Sequence, residues 1–303
     1  MESFGHHIVA GARCVEIRGP NQFRNVVSAM LFIQLRRLII TTCHQLQEPL
    51  PYALKTWSRW AEPTQTRDEA SLNRFAELNE HLAAVRAEIK RKGIRNPAAV
   101  AAMLDPVDRQ LKDWETRLPD TWRFKSYRSL GSEADSAGSY NMQYDEYPDF
   151  WVASTWNNYR MVRILVHESK MTATMKYGSD KEKKELQHSA QTLAEMTNGI
   201  CYSVAYILGD RPTGLYSKGA HQAESPDGLP KPGGYLLLWP LFLAGSCCTT
   251  SRDQRGWIAR ALRDIGLRMG MQLAVSMATK LEQTAISLSD REMWIFGEFF
   301  PSN

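Results

Sequence analysis

Residues 233–245 limit most strongly what this chain can fold into. They are almost wholly apolar and contain one proline, Pro240. A membrane-spanning helix needs about 20 apolar residues, so the segment is too short to cross a bilayer. A helix that is hydrophobic on all sides belongs inside a packed protein. The segment therefore predicts a helix at the centre of an α-helical body.

Composition excludes several classes of protein. The chain has 303 residues, of which 43% are hydrophobic and 23% charged, enough to form one large core or two coupled cores. The net charge of +4 is spread along the sequence, which argues against direct nucleic-acid binding. Five scattered cysteines fit a reduced compartment, and residues 1–18 lack the apolar stretch of a secretory leader. We therefore expect a nuclear or cytoplasmic protein that does not bind membranes.

Hydrophobic periodicity near 3.6 residues predicts an all-α fold, a multi-helix bundle-like array. Pro97 and Pro106 each follow a residue suited to an N-cap, which predicts two short helices ending near residue 118. Ser179 and Glu182 fit a capping box for a helix that ends near Gly209. No alternation typical of β-strands is evident. The other predicted helices cover residues 22–47, 68–92, 149–171, 253–271 and 272–288, with a short one around Trp57 and Trp60.

Two stretches poor in aliphatic residues predict long loops. Residues 131–148 divide an N-terminal helical part, 1–130, from a C-terminal helical part, 149–303. Residues 210–234 are rich in proline and glycine and form the second predicted loop. We expect both helical parts to pack as one domain.

Motifs for metals and nucleophiles are missing from the sequence. Cys247 and Cys248 are adjacent, and neighbouring side chains on a helix point about 100° apart, which makes a poor chelate. His167-Glu168 lacks a second histidine ligand on the same helix face. The chain also has no Gly-x-Ser-x-Gly or phosphate-binding glycine loop. The sequence therefore predicts neither a metal nor a cofactor.

Aromatic residues give the positive signal for a binding site. Rings with polar groups suit a pocket that orients a flat organic molecule, although such residues also fill helical cores. We expect any pocket to lie between the helices that carry them, beneath the 210–234 loop. His221, Tyr235 and Asp149 are candidate acid/base groups for an enzyme. The candidate ligand-binding residues are Trp151, Trp156, Tyr159, Tyr202, Tyr235 and Trp239.

Six blocks follow one another along most of the chain: residues 7–12, 17–20, 31–36, 199–209, 234–245 and 257–270. In order and spacing they resemble the C-terminal regulatory domain of fungal zinc-cluster transcription factors, the binuclear six-cysteine family. The resemblance implies a helical regulatory domain that responds to small molecules or contacts other proteins, and a helix that ends at the turn Arg18-Gly19-Pro20. In that family the turn lies well inside the domain, whereas here it begins at residue 18. The family's cysteine-rich DNA-binding module is not in this sequence.

Three hypotheses remain open at this point. The chain is a transcription-regulator domain that binds a hydrophobic small molecule or a protein partner. Alternatively, the same scaffold serves as an enzyme of secondary metabolism that cyclises or isomerises a hydrophobic metabolite, and this would require polar groups converging on a closed cavity. The third hypothesis is an interaction module, which would expose a large apolar patch. Such a patch near the N-terminus would also favour a homodimer.

Overall fold

A computed structural model describes residues 2–61, 67–128, 139–184, 186–209 and 233–283. It confirms the predicted all-α fold. By the packing of its backbone the chain divides into two compact units, with a boundary between Arg117 and Leu118. In the described part of the chain, unit 1 holds the helices up to Thr116, and unit 2 holds a small hairpin and the helices from Phe150 onward, except Lys176 and Tyr177. The helices of unit 1 are α1 Glu2–Arg18, α2 Val26–Leu46, α3 Ala53–Ala61, α4 Arg67–Lys92 and α5 Pro97–Thr116.

The helix boundaries in unit 1 follow local chemistry. Helix α1 ends at Arg18 because Gly19, with φ of 63°, and Pro20 cannot continue it, and a short 3₁₀ turn follows. Asn25 caps α2 by accepting a hydrogen bond from the Ser28 amide at 3.2 Å. Gly93, with φ of 60°, directly follows α4 and ends it. The core of this unit is formed by Phe23, Phe32, Ile39, Ile40, Leu54 and Trp57.

The prediction of two short helices at Pro97 and Pro106 is wrong. A single helix, α5, runs through Pro106 to Thr116. An internal proline costs a helical hydrogen bond. Here Leu104 and Val107 on either side of it are fully buried, so packing of one continuous apolar stripe outweighs that cost. Asn96 still caps the helix by accepting from the Ala99 amide at 3.0 Å.

Part of the predicted 131–148 loop is a strand. Strand β1, Lys125–Arg128, pairs antiparallel with β2, Gln143–Glu146, and Lys125 lies opposite Glu146. The strands are four residues each, too short for alternation to be recognised in the sequence. Tyr127 and Tyr144 stack across the pair with ring centroids 5.3 Å apart.

The remaining helices are α6 Phe150–Tyr177, α7 Asp180–Lys184, α8 Gln187–Leu208, α9 Gly234–Ser246, α10 Arg252–Met269 and α11 Gln272–Gln283. The Ser179–Glu182 capping box forms, but it caps only the short helix α7, so the single helix predicted to reach Gly209 is two. Helix α9 carries the apolar run and is packed on nearly all sides, as predicted, despite Pro240 within it. Its packing is tight, since a Cβ on Gly245 would approach Leu281 Cδ1 to 2.6 Å.

Candidate functional site

A buried ion pair lies at the centre of unit 2. Arg160 on α6 donates from Nη2 to Asp145 Oδ2 on β2 at 2.9 Å, and from Nη1 to Tyr147 Oη at 2.6 Å. The second carboxylate oxygen of Asp145 accepts from Ser126 Oγ on β1 at 2.7 Å. A Cβ on Gly199 would come within 2.5 Å of Arg160 Nε, so glycine in α8 leaves the space for the guanidinium. These bonds fix the hairpin against α6.

Aromatic rings enclose this charge. Arg160 Cζ lies 5.0 Å from the Phe124 ring centroid, 5.8 Å from that of Tyr147 and 5.9 Å from that of Trp156. Burial disfavours the charged guanidinium, but the neighbouring Tyr147 and Asp145 still hold the pKa of Arg160 above its usual value. Burial raises the pKa of Tyr147. The cluster holds its charges in place with its own hydrogen bonds, which is the arrangement of a structural anchor.

A second buried polar group contains a histidine and a serine, His167 and Ser189. His167 Nδ1 lies 3.1 Å from Ser189 Oγ, and Arg163 Nη2 lies 3.5 Å from His167 Nε2. Arginine only donates, so this contact favours the tautomer in which Nε2 accepts and Nδ1 carries the proton. In that tautomer His167 donates to Ser189 Oγ, whereas nucleophile activation requires a histidine that accepts the hydroxyl proton.

The predicted ligand-binding residues lie in several environments. Trp156 and Tyr159 are buried beside each other, with ring centroids 5.7 Å apart. Trp239 is half-buried and contacts Phe242, and Trp151 is half-buried at the start of α6. Tyr235 is 48% exposed. That these six residues line one pocket stays a prediction, and the 210–234 loop expected to cover it lies mostly outside the described residues.

Tyr202, the remaining predicted residue, belongs to a half-buried group that we call the aromatic surface, formed by Tyr140, Tyr202 and Trp257. The Tyr140 ring centroid lies 5.2 Å from that of Trp257 and 6.2 Å from that of Tyr202. Burial raises the pKa of both tyrosines, so each hydroxyl stays protonated and can donate a hydrogen bond near neutral pH. The sequence did not connect Tyr140 with Trp257, which is more than 100 positions away.

The candidate acid/base residues have less support. Asp149 accepts a hydrogen bond from the Val152 amide at 2.8 Å and so caps α6. His221 lies outside the described residues. Among the described residues, neither Asp149 nor Tyr235 has a hydrogen-bond partner suited to proton transfer.

Unit 1 exposes an apolar surface, which we call the α2 face and define as Val26, Val27, Met30 and Leu31. These side chains are 60–73% exposed and share one side of the first two turns of α2. The opposite side, with Phe32 and Ile39, is buried in the core. Exposed apolar patches rimmed by polar groups are typical of interaction sites.

Helix α2 is also the one helix, in the part of the chain that the structure describes, whose length and apolar composition would permit a membrane span. The core helix of a soluble protein passes the same test. In α2, a third of the residues in the apolar window are buried. The second half of α2 carries Arg36, whose Nε donates to Glu80 Oε1 at 2.7 Å, with both side chains buried. This half of the helix belongs to the core of unit 1.

Comparison with known proteins adds nothing to this geometry. No protein-family model, curated protein or solved structure matches the chain.

One group of possible metal ligands is not evident from the sequence. Cys247 and Cys248 directly follow the last residue of α9, and Glu168 on α6 lies against them, so that one ligand atom from each falls within 4.8 Å of the others. The Cys248 amide donates to Glu168 Oε1 at 2.7 Å across 80 positions of sequence. Adjacent cysteines alone are a weak signal, and the nearby carboxylate becomes visible only in the folded chain.

Proposed function

We propose that this chain is a regulatory binding module that docks a protein partner on the α2 face. The observation that carries the proposal is the exposure of four large apolar side chains on a helix whose other side is core. Leaving such a surface in water costs about 25 cal/mol per Å² of apolar area relative to burial. A partner that covers the α2 face would recover that free energy.

Charge indicates the chemistry of the partner. Residues 17–47 contain four arginines and no aspartate or glutamate. Arg18 and Arg24 are exposed next to the α2 face, and Arg18 Nη2 donates to Ser28 Oγ in the first turn of α2 at 3.0 Å. An amphipathic helix with an apolar stripe and acidic flanks complements both features.

A protein partner is favoured over a lipid bilayer because the large exposed apolar side chains of α2 occupy only its first two turns. Arg36, Ile39 and Ile40 in the following turns are buried in unit 1 and are committed to its core. The resemblance to fungal regulatory domains supports the same proposal, since that family is expected to contact other proteins. A nuclear or cytoplasmic role in transcription regulation, without direct binding of DNA, belongs to this proposal.

Binding of designed peptides tests both the acidic charge proposed for the partner and the location of its binding site on the α2 face. The probe is a synthetic 18-residue helical peptide with a leucine stripe and glutamate flanks, and a lysine-flanked version serves as its charge control. We expect the glutamate peptide to bind at least about tenfold more tightly in calorimetry. Met30→Glu should abolish this preference. Leu267→Glu should not, because Leu267 is 74% exposed but lies on α10 in unit 2.

Two outcomes would overturn the proposal. Equal binding of both peptides would mean that the arginine rim does not select the partner. The second outcome is binding of the chain to vesicles of anionic lipid. If Met30→Glu lost this binding and Leu267→Glu retained it, the α2 face would be assigned to a membrane instead.

The aromatic surface favours a second candidate function, binding of a small hydrophobic ligand. Tyr140, Tyr202 and Trp257 offer flat apolar area together with two hydroxyl donors. The probe is 1-anilinonaphthalene-8-sulfonate, which should quench the fluorescence of Trp257 when it binds. Trp257→Leu should bind the probe more weakly. Trp57→Phe, which changes a buried tryptophan of unit 1, should bind it as the wild type does. Unchanged affinity in Trp257→Leu would remove this candidate. The enzyme alternative has no comparable support among the described residues.

A further inference from the structure

Two sulfur atoms and a carboxylate meet where α9 ends against the middle of α6. Cys247 is buried, whereas Cys248 and Glu168 are half-buried and so reachable from solvent. One ligand atom from each residue lies within 4.8 Å of the other two. A fourth potential donor is close by, since Met171 Sδ lies 3.9 Å from Cys248 Sγ.

The backbone that carries the cysteines is held in place. Thr250 Oγ1 donates to the Ala244 carbonyl at 2.6 Å, and the Thr250 amide donates to the Cys247 carbonyl at 3.1 Å. Arg255 Nε donates to the Gly245 carbonyl at 3.0 Å. The Cys248 amide orients the Glu168 carboxylate, as hydrogen bonds to a ligand do around metal sites. The donors are therefore positioned before any ion arrives.

The geometry points to a binding site for a thiophilic d¹⁰ cation such as Zn²⁺, with Cys247, Cys248 and Glu168 as ligands. With zinc–sulfur bonds of about 2.3 Å, two thiolates on a tetrahedral ion lie about 3.8 Å apart, well within the observed limit. Thiolates select zinc and similar soft ions over magnesium and calcium. Three protein ligands leave a fourth position for water.

Binding displaces protons from the cysteines. Each thiol loses its proton to solvent as its sulfur forms a bond to the ion, so one Zn²⁺ releases two protons and no electron is transferred. The two thiolates balance the charge of the ion, and the carboxylate of Glu168 adds one negative charge to the occupied site. Occupied in this way, the site would link α6 to the end of α9 within unit 2.

Cobalt spectroscopy and zinc calorimetry on the reduced full-length chain test the site. Co²⁺ should give a sulfur-to-metal charge-transfer band and the visible bands of a tetrahedral ion, and Zn²⁺ should displace it. We expect Cys248→Ser to weaken zinc binding at least about a hundredfold and Glu168→Gln about tenfold. Cys14→Ser, which changes an exposed cysteine on α1 in unit 1, should leave binding unchanged.

Circular dichroism establishes that each variant is folded, and Glu168→Gln keeps an oxygen that can accept from the Cys248 amide. A cobalt complex without a sulfur band would overturn the proposal, because it would place the ion on other ligands. Zinc affinity equal in wild type and Cys248→Ser would overturn it as well. Failure of the peptide experiment on the α2 face would leave this result unaffected, since the two sites share no residue.

Discussion

The Asp145–Arg160 pair shows how one residue in the interior can determine where an element packs. Both side chains are nearly inaccessible, at 2% and 4% exposure. Removing one member of a buried pair leaves the other charge without compensation. The pair therefore makes the position of β2 depend on a residue of α6.

Substitution of Arg160 measures that dependence. We expect Arg160→Met to lower the free energy of unfolding by about 3–5 kcal/mol in urea denaturation, because Asp145 stays buried without its cation. Arg268→Met removes an exposed pair with Asp264 and should cost less than about 1 kcal/mol. Equal losses in the two variants would show that burial does not decide the cost.

His44 predicts how the stability of unit 1 responds to pH. Arg86 Nη1 lies 3.4 Å from His44 Nδ1, so Nδ1 is the acceptor and Nε2 holds the proton toward Asn79. Burial and the charge of Arg86 lower the pKa of His44 from 6.5 to about 3. The folded chain therefore keeps the imidazole neutral where the unfolded chain protonates it.

This pKa shift has a definite sign. Between about pH 6.5 and pH 3 the unfolded state binds the proton and the folded state does not, so stability falls as the pH falls. We expect a loss of about 2 kcal/mol from pH 7 to pH 5 in urea denaturation. His44→Gln should remove that part of the pH dependence. His81→Gln should retain it, since His81 is exposed on α4, and a flat wild-type profile would contradict the assignment.

At the scale of elements, the packing of α10 against α11 depends on which glycine faces the partner helix. A Cβ on Gly266 would lie 2.6 Å from Val275 Cγ2 and 3.1 Å from the Met271 carbonyl oxygen. A Cβ on Gly256 in the same helix would reach nothing nearer than Arg260 Nη1, at 4.0 Å. In α10, helix propensity favours alanine over glycine at both positions, but packing opposes that change only at Gly266.

Alanine at these two positions should have opposite effects. Gly256→Ala should raise the free energy of unfolding by about 0.5–1 kcal/mol, because alanine has less conformational entropy to lose. Gly266→Ala should lower it by about 1–3 kcal/mol through overpacking. Thermal unfolding of both variants measures the contrast. A stabilised Gly266→Ala would mean that the two helices separate easily.

At the scale of the whole molecule, the α2 face predicts weak self-association in the absence of a partner. Two copies would bring Arg18 and Arg24 near their counterparts, and salt screens that repulsion. We therefore expect light scattering to show a dimer fraction that rises with salt concentration and disappears in Met30→Glu. A monomer at micromolar concentration at every salt concentration would argue against the homodimer.

Local patterns predicted most of the helices because their causes are local. The apolar stripe of α4, the Asn96 cap and the Gly93 end each depend on residues a few positions apart. Prediction failed at Pro106 and at β2, where contacts with distant residues outweigh the local preference. For the candidate sites, the sequence predicts Tyr202 as a ligand-binding residue, which stays a prediction, but it could not place Tyr140 and Trp257 beside it.

Hydrophobic periodicity and an all-apolar run leave few alternatives, and they suffice to predict the fold class and the burial of α9. Which polar groups meet depends instead on how distant elements pack. Glu168 reaches Cys248 and Arg160 reaches Asp145 through the packing of separate elements. Packing also leaves Val26 and Met30 at the start of α2 exposed while it buries Ile39 and Ile40 further along, since the periodicity of a helix does not specify which faces find a partner.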